Sequence, residues 1–192
     1  MSAKKVIFIN CCISIQNPSR TERLCKEVMT RYENSEEFVV EEVDIRQDVV
    51  SALDSEKLKL REDLIAGKNF GHSIFDLANQ FAAADIIVIG APYWDLSFPA
   101  HLKSYIENIM VSNITFTYTQ EGLNGLCKAE KLIYVTTSGG YIGELNLGYD
   151  YIKAVANMMG IENTGFISAE GLDIYGNDVE AILNEALLQI HI

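Results

Sequence analysis

Apolar residues in this chain gather into short runs, separated by longer stretches where they recur at helical spacing. Val6-Ile7-Phe8-Ile9, Ile86-Ile87-Val88-Ile89 and Leu132-Ile133-Tyr134-Val135 are unbroken, the habit of strands buried on both faces of a parallel sheet. Residues 38–43 alternate, as a strand nearer an edge does, and 161–168 make a fifth strand. Leu24, Cys25, Val28, Met29 and Tyr32 stripe a helix that opens at Ser19. Ile74, Phe75, Leu77, Ala78 and Phe81 stripe another over 70–84, and Leu102, Tyr105, Ile106 and Ile109 a third after Pro99. Helices over 147–159 and 179–190 complete the set. Residues 44–68, strongly charged, predict one or two surface helices. Ile114, Phe116 and Tyr118 alternate before Gly122 and Gly125, which predicts a short arm or hairpin outside the sheet. Strands interleaved with helices through short right-handed crossovers make an α/β, doubly wound three-layer sandwich. A five-stranded parallel sheet of order 2-1-3-4-5 is expected, in one domain over residues 1–192.

Composition narrows the function without naming it. The chain has 192 residues, 48% hydrophobic and 22% charged, with a net charge of −12. That acidity argues against a nucleic-acid or anionic-membrane binder, whose affinity comes from Lys and Arg. No apolar run is long enough to span a bilayer, and the start shows no signal-peptide pattern. Four cysteines with no CxxC spacing, and three scattered histidines, predict reduced thiols, no metal site and a cytoplasmic protein.

Chemistry concentrates where strands end. After the first strand, Ser19, Arg20 and Thr21 stand at a helix start. Ser19 is a good N-cap with Glu22 three residues on, a capping-box pattern. Exposed amides, the helix dipole and hydroxyls also suit an anion there. Cap and anion site both remain open on this segment alone. After the third strand, Gly90, Ala91 and Pro92 lead into Tyr93, Trp94, Asp95 and Leu96, two aromatics and a carboxylate. After the fourth, Thr137, Ser138, Gly139, Gly140 and Tyr141 pair two glycines whose amides can approach a ligand closely, or simply turn the chain. In a 2-1-3-4-5 sheet these loops are neighbours at the switch point. Phosphate donors, aromatics and backbone amides together point to a phosphorylated planar cofactor, flavin mononucleotide (FMN).

Longer matches carry a family resemblance. Ala91-Pro92-Tyr93-Trp94-Asp95-Leu96-Ser97 with Pro99 and Leu102-Lys103, then Thr115-Phe116-Thr117-Tyr118-Thr119 with Gly122 and Gly125-Leu126, then Gly139-Gly140 and Ala169-Glu170-Gly171, resemble the FMN-dependent NADH-azoreductases and NAD(P)H:quinone oxidoreductases of the flavodoxin-like fold. The likeness spans nearly the whole chain; 44–71 carries little of it. It implies that Ser19, Arg20 and Thr21 bind phosphate, with Cys12 near the ribityl chain where the family usually has serine. It implies that Tyr93, Trp94, Asp95 and Leu96 lie along the isoalloxazine ring, and that Thr137, Ser138, Gly139 and Gly140 meet its pyrimidine end. Tyr118 matches an aromatic that reaches an active site at a homodimer interface. Asp95 stands where the family commonly has Asn; an ionised carboxylate near the ring would lower the flavin potential.

The resemblance implies ping-pong hydride transfer. NADH or NADPH reduces the flavin, which then reduces a quinone, azo compound or other electron-poor aromatic, with no catalytic side chain beyond the flavin. Trp94 and Tyr118 would shape the pocket, and His101 reads as a helix-surface residue. Two other functions suit the same fold: a flavodoxin-type electron carrier, and a flavin-free binding protein.

Overall fold

A computed structural model describes residues 3–15, 18–47 and 50–189. Strand β1 (Lys4–Asn10) leads into α1 (Arg20–Glu33), β2 (Phe38–Asp44), α2 (Ser55–Ala66) and α3 (Asp76–Ala82). Then come β3 (Ile86–Gly90), α4 (Ala100–Ile109), β4 (Phe116–Thr119) and β5 (Gly122–Gly125). The chain continues through β6 (Lys131–Thr137), α5 (Leu147–Met158), β7 (Thr164–Ala169) and α6 (Val179–Leu187).

Five strands form one sheet in the order β2-β1-β3-β6-β7, every pairing parallel. Counting only its own strands, this is the expected 2-1-3-4-5. Strands β4 and β5 pair antiparallel outside the sheet, the predicted arm. Alternation along each central strand divides the core. Ile7, Ile9, Ile87, Ile89 and Tyr134 face one layer, with Phe81 of α3, Leu102 and Tyr105 of α4, and Ile152 of α5. Val6, Phe8, Val88, Ile133 and Val135 face the other, with Leu24 and Val28 of α1 and Leu183 of α6.

Several boundaries differ from the sequence expectation. The predicted 70–84 helix is a single 3₁₀ turn over Ser73–Phe75 followed by a shorter α3. His72 caps that turn, its Nδ1 accepting from the Ile74 amide at 3.2 Å, which gives the segment a second start. The last strand begins at Thr164 rather than Ile161, because Ile161 closes the α5 end by donating to Ala156 O. Helix α6 runs to Leu187; residue 190, in the predicted helix, lies outside the described residues.

Among its described residues the charged segment yields one helix. Only Arg61 of α2 is buried, and its guanidinium donates to Glu107 O at 3.0 Å and Met110 O at 2.6 Å. These carbonyls end α4, where a cation complements the helix dipole. So the one buried residue of α2 is a charge, which hydrophobic periodicity does not reveal.

Candidate active site

Helix α1 starts at the site because Ser19 caps it. Its Oγ accepts from the Glu22 amide at 3.0 Å, while the Glu22 carboxylate goes to Arg46 at 3.2 Å and Lys26 at 3.3 Å. The amides of Arg20 and Thr21 donate to nothing among the described residues. Two open N–H groups at the positive end of a fourteen-residue helix suit an anion. Cap and anion site, which the sequence left as alternatives, are thus compatible.

Strand β3 delivers the aromatic wall. Beyond its last residue the chain stays against β6, with the Ala91 amide on Val135 O and the Tyr93 amide on Thr137 O. Tyr93 is tied down at its far end by its hydroxyl on Leu145 O, 2.8 Å away. The chain then reverses within two residues. Trp94 and Ser97 exchange both backbone bonds, and Asp95 and Leu96 have φ of 50° and 66°. This is a type I′ turn, which demands positive φ at both central positions. Asp tolerates that region; Leu pays of order 1 kcal/mol for it.

The third loop is held by the chain after β7. Ser138 donates to Ala169 O, Gly171 to Gly140 O, Leu172 to Ser138 O and Asp173 to Gly139 O. The Glu170 carboxylate accepts from the Ile142 amide at 2.9 Å and the Ser168 hydroxyl at 2.8 Å, bracing the same loop. The amides of Gly139 and Gly140 have no acceptor among the described residues. Space stands open above Gly140, where an added Cβ would meet nothing within 4 Å.

These three loops enclose one cavity of about 590 Å³. Ser19, Arg20, Thr21, Tyr93, Trp94, Thr137, Ser138 and Gly139 line it together, as their sequence pattern implied. Five expected residues stand off it. Cys12 is buried beneath the loop, 3.9 Å from the Cys25 sulfur, where it packs rather than faces the opening. Asp95 and Leu96 project outward on the turn, both exposed, and Gly140 lies just past the lining residues. Tyr118 sits on the β4–β5 arm, 71% exposed and away from the lining of this single chain.

Ile13, Ser14, Ile15 and Pro92 of the same loops also line it, as do two residues of a further segment that the sequence did not single out, Leu172 and Asp173. They follow Gly171, whose φ of 74° swings the chain after β7 back over the site. Gly171 at a strand's carboxyl end was the available signal. Asp173 places its carboxylate 2.6 Å from Arg20 Nη1. Burial pushes the Cys11 thiol up to about 12, and the contact with the Cys25 sulfur, with burial, raises that of Cys12, so neither is an available thiolate.

Open amides at a helix start, a guanidinium, a flat aromatic wall and glycine amides opposite fit a phosphorylated planar cofactor. The comparisons agree. The chain matches the flavodoxin-like fold family over residues 4–191, and it belongs to that family, among relatives described as FMN-dependent NADH:quinone oxidoreductases. It is 36% identical over 191 residues to FMN-dependent NADH:quinone oxidoreductase 2 of Clostridium acetobutylicum, spanning 95% of this chain and 94% of that protein. The enzyme of the same description from Clostridium beijerinckii is 34% identical over 190 residues, with 95% and 94% covered. Among solved structures, an FMN-dependent NADH-azoreductase from Bacillus anthracis in complex with FMN superposes with a TM-score of 0.83 at 24% identity, covering 98% of this chain and 95% of that one. That likeness establishes the shared fold.

Proposed function

We propose that this protein is an FMN-dependent NAD(P)H oxidoreductase that reduces quinones, azo compounds or other electron-poor aromatics in two alternating half-reactions. One observation carries the reading: three loops from three neighbouring strands present anion donors, aromatics and free amides to a single cavity. FMN held here would supply the hydride chemistry that links a nicotinamide to the acceptor. The chain holds and shapes. Ser19, the Arg20 and Thr21 amides and the Arg20 guanidinium take the phosphate. Tyr93 and Trp94 wall the ring, and the Asp95-Leu96 turn ends that wall. Thr137, Ser138 and the Gly139 and Gly140 amides meet the pyrimidine edge. In this reading the acceptor's proton comes from solvent.

The assembly proposed is a homodimer. Tyr118, Leu123 and Leu126 on the arm, with Trp94, Leu96 and Leu145 by the site, are all exposed apolar side chains. Exposed apolar side chains of this kind are expected at an interface, and in the proposed dimer a second copy brings Tyr118 to the neighbouring cavity. Four free cysteines favour a reducing compartment, the cytoplasm. No described helix is long and apolar enough to cross a membrane.

The test is an absorption spectrum of the purified protein, then anaerobic NADH and NADPH, then a quinone. Flavin bands that bleach with a nicotinamide and recover with the quinone are expected. Bound flavin that ignores both nicotinamides would indicate an electron carrier, and failure to take up added FMN would remove the reading. Sedimentation should give a dimer; a fully active monomer would end the role given to Tyr118.

A further inference from the structure

The lining of the cavity holds just two charged side chains among the described residues, Arg20 and Asp173, and they are bonded to each other. Asp173 arrives from the chain after β7 and is seated on three sides. Its amide donates to Gly139 O at 3.0 Å. Its Oδ1 accepts from Arg20 Nη1 at 2.6 Å. Its Oδ2 rests on the bare α-carbon of Gly139, where an added Cβ would lie 2.3 Å away. The lining therefore carries no net charge, in a protein whose overall charge is −12. A dianionic phosphate entering here meets a cation already engaged, and a carboxylate close beside it.

We propose that Asp173 is an internal anion that occupies Arg20 until a cofactor phosphate displaces it, so that it sets how tightly the site retains phosphorylated flavin. This rests on the reading of the cavity as an FMN site. Arg20 keeps four further N–H donors, so the guanidinium turns from carboxylate to phosphate without leaving the cavity mouth. Asp173 acts on the cofactor through Arg20, by engaging the guanidinium that the phosphate needs, and the consequence is selective. Its effect falls on the phosphate end alone: riboflavin, which has the same ring and no phosphate, leaves the Arg20–Asp173 pair intact.

The experiment titrates cofactor-free protein with FMN and with riboflavin, following quenching of flavin fluorescence. Wild type, Asp173→Asn, Arg20→Ala and the double variant are compared, with circular dichroism as the folding control. Asp173→Asn is expected to bind FMN about two- to fivefold more tightly, the size of an exposed ion pair. Riboflavin affinity should not move, and the gain should vanish in the Arg20→Ala background. Unchanged or weaker FMN binding by Asp173→Asn would overturn the proposal. So would an equal gain for riboflavin, or a gain that survives without Arg20. Wild type that binds neither flavin would instead overturn the cofactor reading itself, and this inference with it.

Discussion

The hydroxyls of Thr21 and Thr137 lie 2.6 Å apart, both buried, and join the first turn of α1 to the carboxyl end of β6. The bond fixes the helix start against the middle of the sheet, so phosphate donors and ring-facing amides keep a constant separation. Removing one hydroxyl strands the other without a partner, which costs about 1–3 kcal/mol. Thr21→Val and Thr137→Val should each destabilise by that order in urea. The double variant should cost less than their sum, because both polar groups are then gone. Full additivity would show that the pair does not act as a unit. Ser19→Ala with Arg20→Ala should also weaken FMN severalfold, and unchanged affinity would remove the phosphate assignment.

Gly125 and Gly160 let the arm touch the sheet's flanking layer. A Cβ on Gly125 would lie 2.0 Å from Gly160 N and 2.1 Å from Met159 C, both backbone atoms with nowhere to go. Gly125→Ala should therefore lower stability by at least the 1–3 kcal/mol typical of overpacking. Thermal unfolding measures this; a melting temperature like wild type's would mean that the arm shifts freely.

Asp85 ties the base of β3 to its neighbours. Its carboxylate accepts from the Lys5 amide at 2.8 Å and from Lys128 Nζ at 2.6 Å. These bonds hold its pKa below the ordinary 3.8, the Lys128 bond contributing most. A depressed carboxylate contributes stability that is fully present above its unfolded value and is lost as pH falls through the folded one. Asp85→Asn should thus be less stable than wild type at pH 7. The gap should close in acid below about pH 4, the usual carboxylate range. A gap of constant size would mean that the charge contributes nothing.

The Trp94–Ser97 turn separates backbone from side-chain effects. Because the Asp95 side chain is exposed and off the cavity lining, Asp95→Asn should leave the flavin potential unchanged. A rise would place the carboxylate against the ring. Leu96→Gly should relieve the positive-φ strain and stabilise by a few tenths to about 1 kcal/mol, offset by whatever contact the leucine makes at an interface. If Leu96→Gly weakens dimerisation while stabilising the monomer, the leucine is kept for the interface.

Much of this architecture was legible because it is local. Val6–Ile9, Ile86–Ile89 and Leu132–Val135 can only be strands buried on both faces, and a parallel sheet with interleaved helices has few right-handed solutions. Ser19 as cap, the aromatics after β3 and the paired glycines after β6 were each readable from residue type and place. The limits were equally physical. Cys12 occupies a position that suggests a ligand contact, yet burial against Cys25 turns it inward, and no periodicity encodes that direction. Arg61 is the buried residue of α2 because the α4 carbonyls lie across it, 46 and 49 residues away in sequence.

From the sequence alone came the strand order, the three loops and the kind of guest they suit, since hydrophobic period and turn chemistry act within a few residues. Tertiary structure alone decided that Asp173 meets Arg20, that Thr21 meets Thr137 and that Glu170 braces the third loop. Each of the first two pairs is separated by more than a hundred residues. Glu170 reaches back 28 residues to Ile142. Side chains so far apart meet only once the sheet has set the distances between strand ends, and the polarity of the cavity is made there.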